Sequence, residues 1–117
     1  MNEFILIYIL LIHFLADFAL QTHEQASLKS TNNTMLFYHV LTYSLTWLLG
    51  TIALLGWYSI LFAFITFIVH FSTDYVTSRV VKKFFDKQDF HNGFVMIGAD
   101  QILHYLQLYF TFKLILS

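Results

Sequence analysis

The chain has 117 residues, of which 58% are hydrophobic, 20% aromatic and only 11% charged. A globular chain usually carries about 25% charged residues, and a small soluble domain leaves much of its surface in water, so this composition favours a bilayer as solvent. The net charge of −1 gives no basic excess for nucleic acid, and the absence of cysteine excludes disulfides, thiolate metal sites and cysteine catalysis.

Four apolar segments predict an all-α membrane protein, a four-transmembrane-helix bundle formed by one domain over residues 1–117. Each segment is close to the ~20 residues that cross a ~30 Å hydrocarbon layer. The first lacks the basic n-region and the small-residue cleavage site of a signal peptide, so we interpret it as a permanent span. The predicted helices cover about residues 4–21, 35–55, 57–78 and 94–116.

Basic residues predict the orientation in the membrane. The polar connections after the first and third segments hold Lys29, Arg79, Lys82, Lys83 and Lys87, and only Lys113 lies on the other side. The positive-inside rule therefore predicts that both long loops are cytoplasmic and both termini are outside.

Ionisable residues recur inside these apolar segments at a spacing of four. His13, Asp17 and Gln21 follow one another at this spacing and would share one face of an α-helix. The third segment repeats the pattern, the fourth reverses it, and the second carries a single histidine near its start: His70 and Asp74, Asp100 and His104, and His39.

All of these groups are predicted to lie at a common depth. At ~1.5 Å per residue, the seven His and Asp residues fall about 6–15 Å from the cytoplasmic ends of their helices. An Asp in a membrane helix costs roughly 2.5–3.5 kcal/mol on insertion scales, so the carboxylates must face the interior and satisfy one another, a cation or water. The sequence thus predicts one polar site in the cytoplasmic half of the bundle.

Three Asp and four His form a ligand set that suits a divalent transition metal. We predict one or two ions of zinc, or of iron or manganese, held by residues from the set His13, Asp17, His39, His70, Asp74, Asp100 and His104. An open coordination position would lower the pKa of a bound water to about 7 and make it a nucleophile. Gln21, Tyr43 and Gln101 are predicted to hydrogen-bond the ligands or a substrate. A metal-free network that fixes helix register and a proton pathway stay open as alternatives.

The motifs resemble those of a family of small bacterial and phage integral membrane proteins, a domain of unknown function. The shared pattern is His-Phe-Leu-Ala-Asp-Phe-x-x-Gln near the N-terminus, a His opening the second helix, His-x-x-x-Asp in the third and Asp-Gln-x-x-His in the fourth. This resemblance covers nearly the whole chain and implies location in the bacterial cytoplasmic membrane, but it implies no activity. A looser similarity to small membrane-bound metal-dependent hydrolases implies hydrolysis by analogy, although their full motifs are not present here.

These features lead to three function hypotheses. The first is a metal-dependent hydrolase that acts at the cytoplasmic leaflet, with a lipid headgroup as substrate and an oligomer left open. The second is a divalent-metal or proton transporter, which the lack of ionisable groups in the outer half disfavours. The third is a non-catalytic, phage-type membrane accessory protein, which would not need seven converging ionisable groups. His23 and His91 lie in predicted loops and are expected to be solvated.

Overall fold

The structure is a computed structural model and describes residues 3–117. All regular elements in this range are helical, which confirms the predicted all-α class. In chain order they are α1 (Glu3–Phe14), a π-helical turn (Leu15–Ala19), α2 (His23–Leu28), α3 (Asn33–Leu55), α4 (Tyr58–Asp86) and α5 (Phe90–Leu116). Helix α4 packs along both α3 and α5, and α1 lies against α3 and α5.

The N-terminal segment differs from the predicted helix over residues 4–21. The α-helix ends at Phe14 and continues as a π-helical turn, in which the Leu20 amide donates to the Leu15 carbonyl at 2.9 Å. Gln21 therefore lies beyond the helix, not on a continuous α-helical face with Asp17. Helix α2 forms where a polar loop was predicted, because Thr22 and Gln25 build a capping box that starts it.

The boundaries of the two longest helices also differ from the predicted ones. Helix α4 continues past the predicted end at Ser78 to Asp86, since residues 79–86 contain no Gly or Pro and include an i, i+4 ion pair between Lys82 Nζ and Asp86 Oδ2 at 2.7 Å. Helix α5 begins at Phe90, before the predicted start at Phe94, because Asp89 caps it by accepting from the Asn92 amide.

One end of the bundle holds an aromatic core, which we define as Ile9, Trp47, Leu55, Phe62, Leu108 and Phe112. Each of these side chains is at most 7% exposed. The ring centroids of Trp47 and Phe62 lie 5.4 Å apart, and those of Phe62 and Phe112 lie 4.6 Å apart, so the rings of three helices pack directly on one another. This core holds α1, α3, α4 and α5 together at that end.

Two helices of the described chain, Asn33–Leu55 and Tyr58–Asp86, are long and apolar enough to cross a membrane, which suggests membrane association. Helix α1 has only 12 residues and is about 18 Å long, short of the ~30 Å layer. Helix α5 has the length, but polar residues at 100, 101, 104 and 107 interrupt its apolar sequence. This criterion therefore supports two of the four predicted spans.

Candidate metal centre

The seven predicted His and Asp residues converge in the half of the bundle opposite the aromatic core. None is more than 7% exposed, although they come from the N-terminal helical segment, α3, α4 and α5. We call this set the polar cluster: His13, Asp17, His39, His70, Asp74, Asp100 and His104. Burial of so many ionisable groups requires that they satisfy one another or bind a ligand.

Side-chain atoms from three helical segments lie close together at Asp17, His39 and His70. Asp17 Oδ1 lies 3.1 Å from His39 Nε2 and 3.9 Å from His70 Nε2, and the two Nε2 atoms lie 3.4 Å apart. A tetrahedral ion with bonds of 2.0–2.2 Å would separate its ligand atoms by about 3.3–3.6 Å. The three atoms could therefore hold one metal ion with small adjustments.

Asp74 extends this group from α4. Its Oδ2 atom lies 3.4 Å from His39 Nε2 and 3.9 Å from His70 Nε2, the same range of spacings. Lys29 Nζ approaches the same oxygen at 3.3 Å and is the cation nearest to the cluster among the described ion pairs. Asp74 is thus shared between the imidazoles and an ammonium group.

A second group of ligand atoms forms on α5. His104 Nε2 lies 3.1 Å from Asp100 Oδ2, and the hydroxyl of Thr77 donates to Asp100 Oδ1 at 2.5 Å. Asp17, Asp100 and His104 offer ligand atoms that all lie within 4.8 Å of one another, and so do His70, Asp74 and His104. Asp17, His70 and His104 each belong to two of the three groups that could hold an ion, so the groups overlap.

His13 has a different environment. Gln101 donates its amide N–H to Asp100 Oδ2 at 3.1 Å and to Asp17 Oδ2 at 3.4 Å, which directs its carbonyl oxygen to His13 Nε2 at 2.7 Å. Because that oxygen can only accept, His13 donates from Nε2, and its Nδ1 accepts from the Tyr43 hydroxyl at 2.8 Å. Both ring nitrogens are occupied, so this geometry does not support the prediction that His13 is a ligand and favours a role in positioning.

Several polar atoms of the cluster make no hydrogen bond with any described residue. Asp17 Oδ1, Asp74 Oδ2 and His104 Nε2 are buried without a hydrogen-bond partner, although each lies close to other candidate ligands. Ion pairs with His39 and Lys29 offset part of the desolvation cost of the two carboxylate oxygens. A cation held by the candidate groups would bind these oxygens and the imidazole nitrogen directly.

A family model described as "Protein of unknown function (DUF3307)" matches residues 5–116. The chain belongs to this family. The predicted resemblance to an uncharacterised domain family is thereby confirmed, and no curated protein or solved structure gives a significant match. The family description names no activity, so the function of this DUF3307 protein must be argued from its site.

A cavity of about 440 Å³ lies next to the polar cluster of the DUF3307 protein. Its wall includes three carboxylates of the cluster, Asp17, Asp74 and Asp100, and it extends to the end of α2 and the last turns of α4. Gln21, predicted to contact ligands or substrate, lines this cavity, and its Oε1 atom makes no hydrogen bond with residues 3–117. The other two predicted contacts, Tyr43 and Gln101, hydrogen-bond the cluster itself.

Sequence reasoning gave Lys29 no part in the site, and it placed Thr77 on the polar face of the third helix without naming its contact with Asp100. The Thr22–Gln25 capping box is a sequence signal for the start of α2, but it does not predict the contact of Lys29 with Asp74. Thr77 follows Asp74 by three residues and therefore lies on the same helix face. His23 and His91 are exposed, as predicted for loop histidines, although each lies in the first turn of a helix.

Proposed function

We propose that this DUF3307 protein is a four-span integral membrane protein that binds a divalent transition metal in the polar cluster and uses it for hydrolysis at the cytoplasmic leaflet. One observation carries the proposal. Buried carboxylate and imidazole atoms from α3, α4, α5 and the π-helical turn lie at ligand-to-ligand spacing, and several have no hydrogen-bond partner among residues 3–117. A metal ion is the simplest partner for such a set.

The distribution of polarity supports the membrane placement. Polar and charged residues outnumber hydrophobic ones among the buried side chains of the described chain, whereas large hydrophobic residues are exposed on α1, α3, α4 and α5. Examples are Leu11 on α1, Leu49 on α3, Phe64 on α4 and Phe110 on α5. This is the reverse of a water-soluble domain. In the bacterial cytoplasmic membrane that the family resemblance implies, the basic residues at the cluster end favour an orientation with this end inside and both termini outside.

The donor set favours zinc, or iron or manganese, and two ions fit better than one. Asp17 lies in two candidate groups, one with His39 and His70 and the other with Asp100 and His104, so it is suited to bridge two ions. One divalent ion offsets two of the three carboxylate charges, whereas two ions offset all three. Paired ions about 3.5–4 Å apart are a common arrangement in hydrolases of phosphate and peptide bonds.

Hydrolysis is favoured over transport because a cavity adjoins the polar cluster on one side and the aromatic core closes the bundle on the other. The cavity gives a substrate access from the α2 side, and a metal-activated water there would be the nucleophile. In the opposite direction the aromatic core closes the bundle with Trp47, Phe62 and Phe112, all fully buried. An ion pathway would have to cross these rings, and α1, α3, α4 and α5 place no charged residue among them. Zinc flux into liposomes that contain the protein would contradict the preference for hydrolysis over transport.

Elemental analysis of the detergent-purified protein tests metal binding. We expect one or two ions of zinc, iron or manganese per chain, and loss of the metal in the Asp17→Asn/Asp74→Asn double variant. The matched control is Asp86→Asn, an exposed carboxylate paired with Lys82. Unchanged metal content in the double variant, or no metal in the wild-type protein after incubation with each ion, contradicts the proposal.

The predicted orientation has its own test. Reporter fusions at the C-terminus should locate it outside the cytoplasm, and neutral replacements of Lys82, Lys83 and Lys87 together should reduce the uniformity of that signal. A cytoplasmic C-terminus in the wild-type chain contradicts the orientation and leaves the metal site intact.

A further inference from the structure

The residues that line the cavity beside the polar cluster are of two chemical kinds. Some carry small hydroxyl and amide side chains, and others are apolar, namely Phe18, Val81, Phe85 and Ile97. Two polar atoms of the residues that line it, Gln21 Oε1 and Ser78 Oγ, make no hydrogen bond with any residue in the range 3–117. A ligand with a polar head and an apolar body would satisfy both kinds of residue.

The charge of the wall depends on what the cluster binds. Its acidic side chains are the candidate metal ligands Asp17, Asp74 and Asp100, and its basic ones are Lys29 and Lys82. Lys82 is paired with Asp86 at 2.7 Å and points to solvent, with 42% of its side chain exposed. Once metal ions neutralise the three carboxylates, Lys29 is the remaining unpaired charge on the described wall, and it is positive.

Lys29 lies where a metal and a substrate would both act. Its side chain is 18% exposed, and its Nζ atom lies 3.3 Å from Asp74 Oδ2, an oxygen that also faces the imidazoles. Metal binding to Asp74 removes the negative charge that Lys29 pairs with. The ammonium then needs another anion within reach, and the cavity is the space adjoining it.

We propose that the cavity binds the phosphate group of a phosphate monoester, held between the metal-loaded cluster and Lys29. This proposal rests on the proposed metal site and names its substrate class. A phosphate offers several oxygens to the metal ions, the ammonium and the wall hydroxyls at once. In hydrolysis, the water oxygen bonds to phosphorus, the ester P–O bond breaks and the leaving oxygen takes up a proton. The products are an alcohol and inorganic phosphate.

The substitution Lys29→Met tests this role, with Lys29→Arg as the conservative variant and Lys83→Met as the control. Lys83 is exposed and does not line the cavity, so the control makes the same charge change outside the site. Inorganic phosphate is titrated into the zinc-loaded protein in detergent. We expect Lys29→Met to weaken phosphate binding by about tenfold or more, the value of one charge-assisted hydrogen bond, while Lys29→Arg and Lys83→Met bind as wild type.

Metal content, measured in parallel, separates this proposal from the metal site itself. Lys29→Met should keep its metal or bind it more tightly, because a cation that competes for Asp74 is gone. Loss of metal in Lys29→Met would mean that Lys29 supports the fold, and it overturns the proposal. A wild-type protein that binds metal but no phosphate also overturns it and leaves the metal site standing. Absence of metal in the wild-type protein removes the metal site and this proposal together.

A comparison of a soluble ester with a lipid in vesicles shows which molecule carries the phosphate group. Hydrolysis is followed for a soluble phosphomonoester and for phosphatidic acid in phosphatidylcholine vesicles. The apolar lining residues predict faster turnover of the lipid, and the wild-type rates should fall in Lys29→Met but not in Lys83→Met. Turnover of the soluble ester alone supports a small phosphate ester as substrate, and turnover of neither overturns the proposal.

Discussion

The interior of the bundle changes character between its two ends. Aromatic and aliphatic side chains from α1, α3, α4 and α5 fill one end, whereas carboxylates and imidazoles from the same helices fill the other. The aromatic core is held by ring packing, and the indole Nε1 of Trp47 is buried there without a hydrogen-bond partner among the described residues. The polar cluster leaves carboxylate and imidazole atoms such as Asp17 Oδ1 and His104 Nε2 in the same condition, and these are atoms that can bind a cation. In the proposed function one end supplies stability and the other binds the ligand.

The largest effect on stability is expected at the aromatic core. Trp47→Ala should lower the free energy of unfolding by about 3–5 kcal/mol, because it removes a fully buried ring that packs on Phe62 and Phe112. Metal bound per folded molecule should stay at the wild-type value. Thermal melting in detergent measures the stability, and elemental analysis of the folded fraction measures the metal content. Loss of metal from the folded fraction would contradict the proposal that the two ends have separate roles.

A matched pair of amides compares the two ends directly. Gln101 hydrogen-bonds His13, Asp17 and Asp100, whereas Gln107, six residues along α5, donates to Thr66 at 3.1 Å and Thr111 at 2.9 Å. Gln101→Leu should weaken metal binding about 10- to 100-fold, as expected when a residue that orients ligands is lost. Gln107→Leu should change melting without changing metal affinity. Equal metal affinities in the two variants would contradict the assignment of Gln101.

A smaller effect is expected near the mouth of the cavity. A Cβ atom at Gly93 would overlap Phe85 Cε1, so Gly93→Ala must displace the Phe85 ring. Crowding of this kind costs about 1–3 kcal/mol, which a melting curve would detect. Metal content should be unchanged, since Phe85 lines the cavity and is not a ligand. A variant as stable as wild type would mean that the ring moves freely.

The smallest effect is expected outside both ends. His91 is exposed, so His91→Ala should change stability by no more than about 0.5 kcal/mol and leave metal content unaltered. Metal loss in this variant, measured by elemental analysis, would show that the site extends beyond the polar cluster.

Much of this architecture could be predicted from hydropathy and helical spacing. The long helices α3, α4 and α5 and the convergence of the ionisable residues follow from apolar segments interrupted at intervals of four, whereas α1 is shorter than predicted. The π-helical turn could not be predicted, because its Leu20–Leu15 hydrogen bond has no local sequence signal. The position of Lys29 depends on a contact with a residue 45 positions later. The two hydrogen bonds of His13 likewise depend on residues of α3 and α5.

The His13–Gln101 hydrogen bond joins residues 88 positions apart, and this separation has a consequence for biosynthesis. Helix α1 leaves the ribosome long before α5 exists, so during that interval Asp17 has neither Gln101 nor the imidazoles of α3 and α4. In the proposed membrane placement a lone carboxylate in lipid costs roughly 2.5–3.5 kcal/mol, enough to keep a helix as short as α1 near the headgroups. The helix made first is therefore expected to be the last to settle between its neighbours.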